Sequence, residues 1–338
     1  MHKRRFNEFT LTFAIQPRGP LLIKSGQESG ADPTLLDMNF VRTQHMGLGE
    51  STVYLPGSSL KGTLRSYAEK IARTVGEGRS VHPPFSCNPL GRSSKKGSDD
   101  YFCGQFLDNK RFNQADKHRL ACPICRTFGH TSLAAHCRLS DAYPLDPANR
   151  DDRTLFEQTN STEERDGVAI DRVSGAVAVG PFNLEVVTQG AFFGSLTLHN
   201  FELWQLGLLA IVLRDLGNGL VPIGFAKSRG LGQVSVTLQR AEVAYPGRFS
   251  ANSNGRHLDQ ELYGVTGFLD DTEAGQYGYH RTKEAKVLPG GFVEVAESGD
   301  YGRYALAWPD EAIQNLWRTC VDAWRDFVTN WEGVAENG

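Results

Sequence analysis

Cys122 and Cys125 stand two residues apart in 122-CPIC-125. Two thiolates at that spacing can grip one ion from a tight turn, and a tetrahedral site then needs two further ligands. Cys87 and Cys103 lie upstream, in a stretch rich in Gly, Ser, Lys, Pro and Asn, with His82, His118, His130, His136 and Cys137 as spare donors. A segment that buries little apolar area of its own gains stability from a bound metal. Cys87, Cys103, Cys122 and Cys125 together would form a closed structural zinc site with no open catalytic position. The alternative is a free or redox-active thiol pair. A redox pair is expected beside a βαβ unit, whereas a coil-like insertion precedes this one.

Two further segments suit a polyanion. In 56-PGSSLKGTLR-65, Gly57, Ser58 and Ser59 precede a helical pattern, with Lys61 and Arg65 one turn apart. Backbone N–H groups at a helix start, with those bases, suit a phosphate, and Ser58 or Ser59 is a natural N-cap. The spacing is not that of a Walker loop. In 224-GFAKSRGLGQV-234, three glycines with Lys227 and Arg229 read as a flexible basic loop that lets a backbone approach phosphates. For each segment the plainer reading is a solvated turn or helix face. Asp32 and Asp37, in 30-GADPTLLDMNFVRT-43, offer a carboxylate beside such a groove, as a general base or a ligand of a divalent ion. Turn formation is the commoner job of any single Asp.

The elements that must position these groups follow from periodicity. Residues 9–16 alternate as a half-buried strand, residues 24–52 read as a long loop, and 58–75 have helical spacing at Leu60, Leu64, Tyr67, Ala68, Ile71 and Val75. Residues 76–121 form an insertion without its own apolar core, and 144–166 read as loop. The span 167–180 suggests a projecting hairpin, 182–189 and 192–200 strands, and 201–217 an apolar helix against a sheet. The last helical stripe, at Ile313, Leu316, Trp317, Cys320, Trp324, Phe327 and Val328, lies in 311–331. The order fits an antiparallel sheet with helices on one face.

The 338 residues suit one large domain with additions, or two domains, and 40% hydrophobic with 22% charged residues argues against disorder. No apolar run is long enough to span a bilayer and no secretory signal opens the sequence, so a reducing cytoplasm is expected, where clustered Cys points to metal. The net charge of −3 hides a gradient. Residues 1–126 hold 19 Lys and Arg against 11 Asp and Glu, and residues 241–338 hold 8 against 16. A basic front facing a polyanion is the sharper reading of that gradient.

Together the segments resemble the RAMP superfamily, and within it the zinc-bearing branch of backbone subunits of type III CRISPR RNA-guided effector complexes. The resemblance rests on PGSSLKGTLR at 56–65, CPICRTFG at 122–129, RLSDA at 138–142, GVAIDRVSGAV at 167–177 and GFAKSRGLGQV at 224–234, in the family's order, within residues 9–238. It implies an α+β fold with an RRM-like, ferredoxin-like palm on an antiparallel sheet. It also implies a zinc-binding insertion at about 76–137 and a β-hairpin thumb at about 165–181. Residues 1–239 would form that domain, and 240–338 a C-terminal extension ending in an amphipathic helix.

The implied ligands are guide (CRISPR) RNA and target RNA, and the implied partners are other subunits of the complex, in antiviral defence, with no membrane. Ser58, Ser59, Lys61, Arg65, Arg172, Lys227 and Arg229 would contact RNA. In target-cleaving members a catalytic Asp precedes the PGSSLKG segment. Asp37 stands at the matching place, with Asp32 as its rival, and Mg2+ or Mn2+ would support endoribonuclease cleavage. The stretch from Asp37 to Pro56 is longer than the family's usual spacing, which leaves a non-catalytic, guide-binding spacer subunit as the competing expectation.

Overall fold

The computed structural model describes residues 4–26, 38–45, 49–91, 101–149, 153–295 and 302–334. Asp32 and Asp37 lie outside them. Strand β1 (Glu8–Pro17) buries Phe9, Leu11, Phe13 and Ile15 on one face and turns Thr10 and Thr12 to the other, as its alternation requires. A small antiparallel pair, β2 (Arg42–His45) with β3 (Glu50–Val53), leads to helix α1 (Gly57–Val75). The insertion carries three short helices, α2 (Cys103–Phe106), α3 (Gln114–Leu120) and α4 (Pro123–Phe128), before β4 (Cys137–Leu139).

Helix α5 (Arg153–Asn160) precedes the hairpin of β5 (Glu163–Ile170) and β6 (Val177–Val186). Then come β7 (Phe192–His199), α6 (Leu203–Gly217) and β8 (Val234–Pro246). The rest holds two small pairs, β9 (Asn252–Ser253) with β10 (Arg256–His257), and β11 (Glu261–Tyr263) with β12 (Ala285–Val287), with α7 (Asp271–Tyr277) inside the second. It ends with β13 (Val293–Glu294), β14 (Arg303–Pro309) and α8 (Ile313–Asn330).

The main sheet runs β13–β14–β8–β1–β7–β4 and every pairing in it is antiparallel. Four of its strands, at one end of the sheet, have the order β8–β1–β7–β4. Helix α1 connects β1 to β4, and α6 connects β7 to β8. That is the βαββαβ, ferredoxin-like plan. Strand β8 crosses position 240 without a break, and β14 extends the sheet from it, so the C-terminal residues build on the same sheet.

The core lies under α1, α6 and α8. Helix α1 contributes Leu60, Leu64, Ala68 and Ala72. Helix α6 is buried almost all round because α8 covers its outer side, with Trp204 and Phe327 stacked at 4.3 Å between ring centroids. Burying each such large apolar side chain stabilises by about 1.5–3 kcal/mol. Phe85, Tyr101, Leu107, Leu120, Ile124 and Phe128 of the insertion join this same core.

Three local readings change. The expected loop at 24–52 contains β2 and β3, and the expected loop at 144–166 contains α5 and the start of β5. These four elements are short, with only isolated buried apolar residues such as Val53 and Phe156, so no apolar period reveals them. Strand β6 merges the second half of the expected hairpin with the strand expected from residue 182.

Candidate functional site

Cys87, Cys103, Cys122 and Cys125 are all buried, and their sulfurs lie within 4.8 Å of one another. The Cys87 and Cys125 sulfurs are 3.7 Å apart. A tetrahedral ion with metal–sulfur bonds of about 2.3 Å needs sulfurs about 3.8 Å apart, so the donors fit a zinc-like ion. The scaffold is local. Cys122 is the N-cap of α4 and its sulfur accepts from Cys125 N at 3.4 Å, while Cys122 N donates to the Cys103 sulfur at 3.2 Å. Hydrogen bonds from Cys103, Cys122 and Cys125 hold the Cys87 thiol well below its ordinary range, and burial pushes Cys103 up. His118 and His136 point elsewhere, to Tyr277 O at 2.7 Å and Asn200 O at 3.1 Å.

Helix α1 starts at Gly57, with Pro56 as N-cap and no side-chain cap. Neither Ser58 nor Ser59 caps it, contrary to the expectation from sequence. Asp141 of the RLSDA segment does that job from a distance, accepting from Gly57 N at 2.7 Å. One N–H that a phosphate could have used is therefore taken by a carboxylate. Ser58 and Ser59 are both exposed in the first turn.

The bases along α1 diverge. Arg65 turns inward, donating to Glu69 at 2.9 Å, to Gly129 O at 2.9 Å and to the Cys125 sulfur at 3.5 Å. Burial lowers its pKa, but Cys125 and Glu69 raise it further, so it carries a fixed charge beside the thiols. Lys61 is half-buried; burial lowers its pKa, and the nearby Arg65 and Arg138 charges lower it further.

Ser59 and Lys227 do line one cleft. With Lys24, Gly62, Thr63, Ser66, Gly224 and Phe225 they line a cleft of about 390 Å³ between α1, the chain after β1 and the glycine-rich loop. Among the described residues two lysines line it and no carboxylate does. The loop is built rather than flexible. Phe225 N donates to Leu22 O at 2.7 Å and Ile223 N to Gly232 O at 2.9 Å. Gly224, at φ +80°, lies so close to Leu22 that a Cβ would collide with its carbonyl. Arg229 is exposed in the turn Lys227–Arg229 and does not line the cleft. Reading the sequence for charge alone missed Lys24, in an unpatterned stretch, and Phe225, which sits inside a quoted motif.

The next layer connects the cleft to the hairpin. Val41 N donates to Ile23 O at 2.9 Å and Ser25 N to Asn39 O at 3.0 Å. Met38 N donates to Asn183 O, and Met38 O accepts from Glu185 N. The Glu185 carboxylate then accepts from Phe40 N at 2.8 Å and from Arg42 at 2.5 Å. Met38 is thus tied to the hairpin base, and Val41 to a cleft wall at Ile23. At the hairpin tip Asp171 accepts from Val173 N and Ser174 N, Arg172 is exposed, and Val173 and Ile170 are 96% and 63% exposed.

The opposite face of the main sheet carries Thr10, Thr12, Ser195, Thr197, Arg138 and Arg240. The same face also carries Glu242, opposite Thr10, and Phe193, opposite Ala14 and buried.

The profile of the RAMP superfamily matches residues 16–235, which span both cleft walls, the insertion and the hairpin. The chain belongs to the RAMP superfamily. No curated protein matches it. Membership in the RAMP superfamily accords with the ferredoxin-like sheet and fits a CRISPR-associated, RNA-binding function. Among the described residues of this RAMP protein, no helix is long and apolar enough to cross a membrane.

Proposed function

We propose that this RAMP protein is a backbone subunit of a type III CRISPR effector complex, of the zinc-bearing branch, which holds guide RNA and the guide–target duplex beside sister subunits. The observation that carries the reading is the cleft lined by Lys24 and Lys227, to which no carboxylate among the described residues contributes. Two phosphates would sit on the lysines, Phe225 would offer an apolar face to one base, and Ser59 and Ser66 would offer hydroxyls to a ribose. Arg172 and Arg229 would add contacts to the phosphate backbone, and Ser58 and Lys61 would do so from α1, whereas Arg65 is committed to Glu69, Gly129 and Cys125. The hairpin would be the thumb, its exposed Val168, Ile170, Val173 and Val177 wedging between bases. Residues 1–239 would form the RAMP domain and 240–338 an extension, and the zinc bound by the four thiolates would be structural.

Asp37 is the proposed catalytic residue, with Asp32 as alternative. A target 2′-hydroxyl would attack the adjacent phosphorus and expel the 5′-oxygen, leaving a cyclic phosphate on one fragment and a hydroxyl on the other. A bound Mg2+ or Mn2+ would supply charge stabilisation for that step. The carboxylate would take the 2′-hydroxyl proton, and a nucleotide splayed by the thumb gives the in-line geometry.

The test is Asp37→Ala in the assembled complex. It should lower target cutting by about 10²-fold or more and leave guide binding unchanged. Unchanged cutting by both Asp37→Ala and Asp32→Ala would favour the guide-binding spacer subunit, whose cutting is done by a sister.

A further inference from the structure

Arg126 is a buried side chain that joins the cysteine-bearing insertion to the C-terminal residues. Arg126 follows Cys125 directly in α4 and is 1% exposed. Its Nε donates to Ala121 O at 3.0 Å and its Nη2 to Arg119 O at 2.6 Å, both in the turn that enters Cys122. Its Nη1 reaches across to Gly278 O at 2.6 Å, and its guanidinium lies 5.1 Å from the centre of the Trp331 ring. Glu202 at the start of α6 supplies the opposing charge and itself accepts from His280 N at 3.2 Å. One fork of donors thus ties the thiol turn to two separate stretches of the extension.

Neighbouring contacts run the same way. His118 meets Tyr277 O at 2.7 Å, Arg79 donates to the carbonyls of Val328 and Trp331, and Val334 N donates to His82 O at 2.8 Å. Helices α2, α3 and α4 have 4, 7 and 6 residues, too short to persist unaided. Something other than helix propensity must fix Arg126.

We propose that the metal centre and residues 271–284 and 331–334 form one conformational unit, latched by Arg126: the ion fixes α4, α4 aims the guanidinium, and the guanidinium holds the extension. This rests on reading the four thiolates as a metal site. Loss of the ion releases those two stretches and leaves the ferredoxin-like sheet folded. Helix α8 stays docked, since its own contact with α6 through Trp204 and Phe327 does not pass through Arg126.

Hydrogen exchange on the full chain, read by mass spectrometry with zinc content measured on the same samples, tests this. Zinc chelation should speed exchange at 271–284 and 331–334 by about tenfold or more and leave β1 and β7 protected. Arg126→Ala should do the same with zinc retained. If Arg126→Ala does not fold, Arg126→Lys, which keeps the charge and loses the fork, should give the same pattern more weakly. A chain that binds zinc but shows no faster exchange at those stretches, on chelation or in the variant, overturns the coupling alone. A chain that binds no zinc overturns the metal reading and the latch together.

Discussion

Asp141 holds the first N–H of α1: its carboxylate accepts from Gly57 N at 2.7 Å across 84 residues of sequence. The same approach brings the Leu139 and Ser140 carbonyl oxygens to 2.6 and 2.8 Å of the place a Gly57 Cβ would occupy. The PGSSLKG and RLSDA segments are thus one joint, which sets the angle at which α1 presents Ser59 to the cleft.

That joint predicts unequal costs. Asp141→Ala should destabilise by about 1 kcal/mol, the cost of a lost helix cap. Gly57→Ala should cost about 1–3 kcal/mol, because backbone rather than a flexible side chain must move. Urea unfolding of the purified variants measures both, and a Gly57→Ala protein as stable as the parent would contradict the joint.

The thiol cluster predicts one zinc per chain. Cys→Ser at 87, 103, 122 or 125 should each abolish stoichiometric zinc, whereas Cys137→Ser and Cys320→Ser should retain it. Melting temperature should fall in the first four by about 2–4 °C per kcal/mol lost. Elemental analysis with a thermal scan reads both, and zinc retained in the four single variants would contradict the site.

How far the site was legible depended on whether a signal was local. The CPIC pair names a metal turn by spacing alone, and the alternation of 9–16 with the stripes of α1 and α8 marks the sheet and its helices. The partners Cys87 and Cys103 were candidates by type, chosen from several others only by folding. Asp141 capping Gly57, Arg65 and Arg126 turned inward, and Lys24 facing Lys227 are all set by contacts far apart in sequence. Charge read residue by residue treats Arg65 and Lys227 alike, yet one braces a thiol and the other lines an open cleft.

Glu284 predicts a pH effect. Burial first, then the nearby Glu202 charge, push its carboxyl up to about 8, above the ordinary carboxylate value. The folded state therefore keeps a proton that the unfolded state has lost. The resulting stability is complete below the ordinary value and is lost as pH rises towards about 8. Urea midpoints should decline across that window, and Glu284→Gln should flatten the decline. An equal decline in the variant would assign it to other groups.

The most direct measurement is the salt dependence of single-stranded guide RNA binding by the parent and by a Lys24→Ala, Lys227→Ala double variant, from about 50 to about 200 mM salt. If the cleft seats RNA, the double variant binds more weakly and its log–log slope is shallower by about 1.4, the change expected when two phosphates of a single strand go unneutralised. Arg318→Ala on α8 should leave both binding and slope unchanged. An unchanged slope in the double variant would contradict RNA binding in this cleft.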